Sequence, residues 1–159
     1  MIKLFSARGR FALAVVVSLA AVGAALVTQH VFDMQPCPWC VFQRLEFLTI
    51  ALVALPGLLW PRRLVQQVAA GAVLVLALCG IATALWQHFV AASNTSCRTT
   101  LADEIVRGLG LDELLPRVFG AYASCAEAAV KLFGIWYEFY SLALFIGLAV
   151  LALSILRRA

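Results

Sequence analysis

From Phe11 to Val27 the chain carries no charged residue, and its apolar character extends toward Phe32. Three more apolar runs follow, at about 41–60, 64–90 and 135–156, the run at 41–60 with Arg44 and Glu46 in its opening turns and the last with Glu138 near its start. A run of roughly 20 apolar residues is what a helix needs to cross the hydrocarbon core of a bilayer. Inside lipid a single segment satisfies its own backbone groups only as a helix. The expected fold is therefore an all-α membrane protein, a bundle of four transmembrane helices forming one membrane domain over residues 1–159. Composition agrees: 64% of residues are hydrophobic and 13% charged, where soluble domains carry about a quarter charged residues.

The first run has Lys3, Arg8 and Arg10 in front of it and small residues in "AVGAA", the outline of a cleaved leader. It is long for a leader, and cleavage near Ala25 would leave an odd number of spans. An uncleaved first helix is expected.

Lysine and arginine collect on the cytoplasmic side of short membrane-flanking segments. Lys3, Arg8 and Arg10 precede the first run, Arg62 and Arg63 separate the second and third, and Arg157 and Arg158 follow the fourth: seven of the twelve basic residues. Both termini are thus expected in the cytoplasm. On the opposite side fall a short link, 33–40, and a long loop, 91–134. The loop holds five of the eight acids: Asp103, Glu104, Asp112, Glu113 and Glu127. A net charge of +4 is mostly this topological signal. It gives no clustered basic face for nucleic acid.

Four of the five cysteines fall on the outer side: Cys37 and Cys40 in "MQPCPWCVFQR", and Cys97 and Cys125 in the loop. In a bacterial-type envelope that side is oxidising, so disulfides are expected there. A Cys97–Cys125 bridge closes a loop of roughly 30 residues, and as a staple it would stabilise by about 3 kcal/mol. Structural and redox roles both fit that pair. A CxxC ring is too small to staple much, whereas its thiols can be tuned for exchange. Zinc is the rival, but the loop lacks the second close pair of a four-thiolate site, and no metal is expected. Cys79, within "LALCGIA", is expected to be a small core residue.

Arg44 lies four residues after Cys40, on the same helical face. Two roles stay open for it: an anchor paired with Glu46 or a lipid phosphate, or a guanidinium that favours the Cys40 thiolate and donates to a carbonyl oxygen of a bound oxidant. His88, at the outer end of the third run, fits interfacial packing or proton shuttling. The same alternatives hold for Gln29 and His30. In the loop, Leu111, Leu114, Leu115, Val118 and Phe119 have near-helical spacing.

Four spans, "CPWCVFQR" heading the second, "WQHF" ending the third, and "TSC" followed by "SCAE" in the loop resemble the DsbB family of bacterial inner-membrane thiol:quinone oxidoreductases. The resemblance covers nearly the whole chain. It implies that the loop lies in the periplasm and that Cys97 and Cys125 exchange with a DsbA-like thioredoxin-fold protein, Cys97 forming the mixed disulfide. It further implies that Cys37 and Cys40 reoxidise that pair and pass electrons to ubiquinone or menaquinone, with Arg44 and His88 at the quinone. Two features depart from the family's pattern: Gln43 stands where a relative has an acid, and Pro-Trp replaces a more aliphatic pair inside the CxxC.

Other classes use similar parts. A quinone-linked reductase of the vitamin K epoxide reductase type carries its membrane-edge CxxC late in the bundle, whereas here it precedes the second span. A tetraspan scaffold or metal-handling protein would keep the outer cysteines as structural staples.

Overall fold

The computed structural model describes residues 6–93 and 100–157. Four long helices form: α1 (Ala7–Val31), α2 (Pro38–Leu59), α3 (Arg63–Trp86) and, after the loop, α7 (Tyr137–Leu156). All four are long and apolar enough to cross a membrane, α3 together with the π-helical turn Gln87–Ala91 that extends it. α1 packs on α2, α2 on α3 and α3 on α7, and a smaller contact between α1 and α7 closes the bundle.

Lipid is as apolar as leucine, so close packing rather than burial of grease holds such helices together, and small residues let backbones approach. Ala54, Ala70 and Ala77 are accordingly wholly buried. Gly57 lies against the Phe11 ring and Gly80 against Phe145, where a Cβ would collide in either case. Phe145 also stacks on Phe47, with ring centroids 4.1 Å apart. Large apolar side chains such as Val16, Leu52, Val68 and Val75 instead point outward. That pattern suits a solvent of acyl chains. Cys79 is also on the outer surface, contrary to the core placement expected for it. Its neighbour Gly80 faces Phe145, which turns Cys79 away from the bundle interior.

At one end of the bundle, arginines cap helix C-termini whose last carbonyls lack intrahelical partners. Arg8 donates to the carbonyls of Leu58 and Leu59 of α2. Arg10, buried, donates to the Ser154 carbonyl of α7 at 2.8 Å. These residues and Arg62 and Arg63 lie at the end opposite the CxxC.

The loop is more ordered than its composition suggests. It contains α4 (Leu101–Gly108), α5 (Leu111–Leu114), α6 (Pro116–Phe119) and a two-residue hairpin, β1 (Lys131–Leu132) with β2 (Ile135–Trp136). Thr100 and Asp103 form a capping box that starts α4. The spacing from Leu111 to Phe119 does not give one helix. Gly110 takes a left-handed conformation, and Pro116 opens a new turn, so the segment breaks in two.

Candidate active site

Cys37 is the N-cap of α2, and its sulfur accepts from the Cys40 amide at 3.3 Å. Pro38 occupies the first helical position, where a missing N–H removes no helical bond. The amides that follow turn to sulfur instead. The first turn thus brings the Cys37 and Cys40 sulfurs to 2.8 Å.

The loop is strapped over this turn. The amides of Tyr122 and Ala123 both donate to the Pro36 carbonyl, at 3.0 and 3.2 Å. Ser124 and Glu127 then close a reciprocal turn around Cys125: the Ser124 amide and hydroxyl donate to the Glu127 carboxylate, and the Glu127 amide donates to the Ser124 hydroxyl. Those bonds from Ser124 hold the exposed Glu127 carboxyl below its usual range. Cys125 is thereby seated on the helix terminus, hydrogen-bonded to Cys37 and receiving the Trp39 amide. Three sulfurs stand in a row, Cys125, Cys37 and Cys40, packed among Trp39, Ala102 and Ala128.

Among the described residues, the two cysteines outside the spans, Cys37 and Cys125, differ electrostatically. Burial, followed by its hydrogen bonds to Cys125 and Cys40, pushes the Cys37 thiol well above the ordinary range. The hydrogen bond from Cys37 pulls the Cys125 thiol down. A helix N-terminus favours a thiolate in the same direction. Reduced protein near neutral pH should therefore be alkylated by iodoacetamide at Cys125 well before Cys37, and the ratio should shrink as pH rises above about 8.5, the ordinary thiol pKa. Site-resolved mass spectrometry checks this; equal rates at neutral pH would contradict the asymmetry.

Cys40, half-buried, borders a cavity of about 260 Å³ between α1, α2, α7 and the π-helical turn. Ala21, Ala25, Phe47 and Leu144 give it apolar walls, and Arg44, Gln87, Tyr137 and Glu138 line it with polar atoms. A second, wetter cavity of about 430 Å³ lies outward, lined by Asp33, Gln35 and Glu127. Thr28, Cys40, Arg44 and Tyr137 border both cavities. The hydroxyls of Thr28 and Tyr137 are hydrogen-bonded at 3.0 Å.

Arg44 is 5% exposed. Its guanidinium donates to Gln29 Oε1 at 2.7 Å, to the Val118 carbonyl at 2.8 Å and to the Ala25 carbonyl at 3.4 Å. It ties α1, α2 and the loop together, and its buried Nε has no partner among the described residues. Glu46 is not its counter-ion. Two residues apart on a helix, the side chains diverge, and Glu46 accepts from Thr83 of α3 instead.

His88 pairs with Glu138 through Nδ1 and Oε1 at 2.6 Å and sits among Phe89, Trp136 and Phe139. Glu138, not His88, reaches the inner cavity. One Glu138 oxygen, Oε2, is buried without a partner among the described residues. His30 meets the Arg117 carbonyl, at the surface. Cys97 lies outside the described residues.

Sequence patterns did not single out Gln87, Tyr137 or Glu138. Their one signal was polarity in the outermost turns of otherwise apolar spans, a place where polar side chains also serve as ordinary interfacial anchors.

A family model described as "Disulfide bond formation protein DsbB" matches residues 7–155. Disulfide bond formation protein B 1 of Pseudomonas aeruginosa is 32% identical, over 98% of this chain and 99% of the relative. Disulfide bond formation protein B of Stutzerimonas stutzeri is 31% identical over 98% and 99%. Disulfide bond formation protein B 1 of Pseudomonas syringae pv. syringae is 34% identical over 86% and 81%.

Proposed function

The chain belongs to the disulfide bond formation protein DsbB family, and from that premise we propose that it reoxidises a periplasmic DsbA-like thiol oxidase and delivers the electrons to a membrane quinone. At the coarser level it is a multi-pass membrane protein with a disulfide-forming oxidoreductase role. The observation that carries the finer reading is the row of sulfurs from Cys125 through Cys37 to Cys40, ending at an apolar cavity.

Exchange proceeds by attack of a thiolate on a disulfide sulfur. A partner thiolate attacks Cys97 of a Cys97–Cys125 disulfide, forming a mixed disulfide and releasing Cys125 as thiolate. Cys125 then attacks Cys37 of a Cys37–Cys40 disulfide: the Cys125–Cys37 bond forms, the Cys37–Cys40 bond breaks, and the electron pair leaves on Cys40. The partner's second thiolate attacks its own mixed-disulfide sulfur and releases Cys97. Cys97 attacks Cys125, restoring the loop pair and freeing Cys37. The partner is now oxidised, and the electron pair resides in the Cys37–Cys40 dithiol beside the cavity.

A quinone, ubiquinone or menaquinone, supplies a two-electron, two-proton acceptor soluble in the same bilayer. The inner cavity suits its head group: apolar walls, the Arg44 side chain in its lining, and Cys40 on one side. About 260 Å³ is below the range of roughly 300–1,000 Å³ for drug-sized ligands. It accommodates a ring, leaving an isoprenoid tail to run out between helices. Arg44, Gln87, Tyr137 and Glu138 would hold the ring, and His88 would fix the Glu138 carboxyl.

The separation of the arginine-capped end from the cysteine end supports placement in the bacterial inner membrane with termini in the cytoplasm and the cysteines on the periplasmic side. Purified protein should oxidise a DsbA-like dithiol only when a quinone is supplied. Oxidation at the same rate without any quinone would overturn the proposal.

A further inference from the structure

Two buried side-chain amides connect α2 and α3 directly to the reactive sulfur. Gln43 and Gln87 are 5% and 3% exposed. Gln43 Nε2 donates to Gln87 Oε1 at 2.8 Å, and Gln87 Nε2 donates to Cys40 Sγ at 3.2 Å. An amide has one accepting and one donating end. Because Gln43 occupies the oxygen of Gln87, the NH2 of Gln87 is the end that faces Cys40. A buried amide left unbonded is costly, so this orientation is strongly held.

The backbone contributes as well. Gln87 opens the π-helical turn Gln87–Ala91, in which its carbonyl accepts from the Ala92 amide five residues on. Such turns are uncommon inside helices and recur at functional sites. Here the widened turn carries both Gln87, which meets Cys40, and His88, which meets Glu138.

We propose that Gln87 is a catalytic hydrogen-bond donor that stabilises the Cys40 sulfur as it takes up the electron pair, and that Gln43 is the positioning residue that fixes the Gln87 amide. The inference rests on Cys40 being the leaving thiolate of the relay proposed above. The chemistry requires such a donor. When Cys125 attacks Cys37, negative charge develops on Cys40 in a site largely removed from water, where an unsolvated anion is expensive. Arg44 is near, but among the described residues no hydrogen bond joins it to Cys40: its terminal nitrogens go to Gln29, Val118 and Ala25, and its buried Nε has no partner. Gln87 is the side-chain amide in contact with the sulfur itself. A neutral donor also leaves both protonation states of Cys40 accessible, whereas a carboxylate at position 87 would oppose the thiolate by Coulomb repulsion.

The test uses full-length reduced protein in detergent without quinone or partner, and follows iodoacetamide alkylation of Cys40 by site-resolved mass spectrometry. Gln87→Met, which keeps the volume and removes the donor, should slow alkylation about tenfold at about pH 7, and the gap should close near pH 10, where any thiol ionises. Gln87→Glu should slow it further. Gln43→Leu, which leaves Gln87 in place but unlocked, should give a smaller loss of the same pH-dependent kind. Cys125, whose sulfur has no contact with Gln87, serves as the reference for intact folding. Equal slowing by Gln87→Met and Gln87→Glu, persisting at high pH, would mean that Gln87 only packs, and an unchanged rate in all three variants would remove it from the chemistry. Either result leaves the dithiol-to-quinone assay standing, and failure of that assay leaves the alkylation result standing.

Discussion

Cys40→Ser should abolish quinone-linked oxidation of a DsbA-like dithiol, a loss of about a thousandfold or more, as expected when a reacting nucleophile is removed. The reason is positional. Cys37 lies between Cys125 and Cys40, hydrogen-bonded to both, so electrons entering from the loop through Cys125 leave through Cys40. With serine there, Cys37 has no second sulfur in the helix to pair with, and its remaining neighbour is Cys125. A Cys40→Ser/Cys97→Ser variant treated with a mild oxidant should consequently accumulate a Cys37–Cys125 disulfide, seen as a cross-linked peptide on non-reducing digestion. Cys79 does not interfere, since it lies on the outer face of α3. Retained turnover in Cys40→Ser, or a double variant that forms no such cross-link, would break the proposed order of transfer.

The four helices were legible because lipid imposes one requirement on all of them, a long apolar segment that satisfies its own backbone. Their ends were less so. α1 starts at Ala7, ahead of the charge-free run, because Ser6 accepts from the Gly9 amide and because Arg8 and Arg10 find carbonyl partners at the ends of α2 and α7. Charge marked a boundary in the sequence, whereas in the fold it marks a cap. The π-helical turn after Trp86 was invisible, since nothing in the spacing of "QHFVA" distinguishes it from a continued α-helix. Within the loop, Phe133 and Gly134 both take positive φ in the hairpin. No Asn-Gly or Asp-Gly pair announced that turn.

The candidate site was legible in part for a related reason. A cysteine pair at the mouth of an apolar span, with an arginine inside the span's second turn, is uncommon, so Cys37, Cys40 and Arg44 stood out by chemistry alone. What they touch did not. The Arg44 acceptors lie 15, 74 and 19 positions away along the chain, two of them backbone carbonyls that any residue could supply. Likewise the contact of Cys37 with Cys125 is created by the strap on Pro36, and Cys97, the companion the sequence proposed for Cys125, lies outside the described residues. Sequence spacing says nothing of such a strap.

Arg44→Ala carries the second large expectation: the apparent KM for ubiquinone should rise about tenfold or more, with a much smaller change in the KM for the dithiol protein. Hydrogen bonds to a charged group contribute roughly 1.5–3 kcal/mol, and each 1.4 kcal/mol is about tenfold. The split between the two substrates follows from geometry. Arg44 lines the inner cavity, while the surface that a soluble partner meets is the loop. Yet Arg44 also holds the loop through the Val118 carbonyl and α1 through Gln29, so a purely structural arginine would loosen both. In that case both KM values would rise together, and the assignment to the quinone would fall. Arg44→Lys sharpens the comparison. An ammonium keeps the charge beside Cys40 but cannot reproduce a planar fork that serves Gln29, Val118 and Ala25. Lysine should therefore restore little of the quinone affinity. If lysine restored it fully, charge alone would account for the effect, and the directed guanidinium hydrogen bonds would have no part in binding.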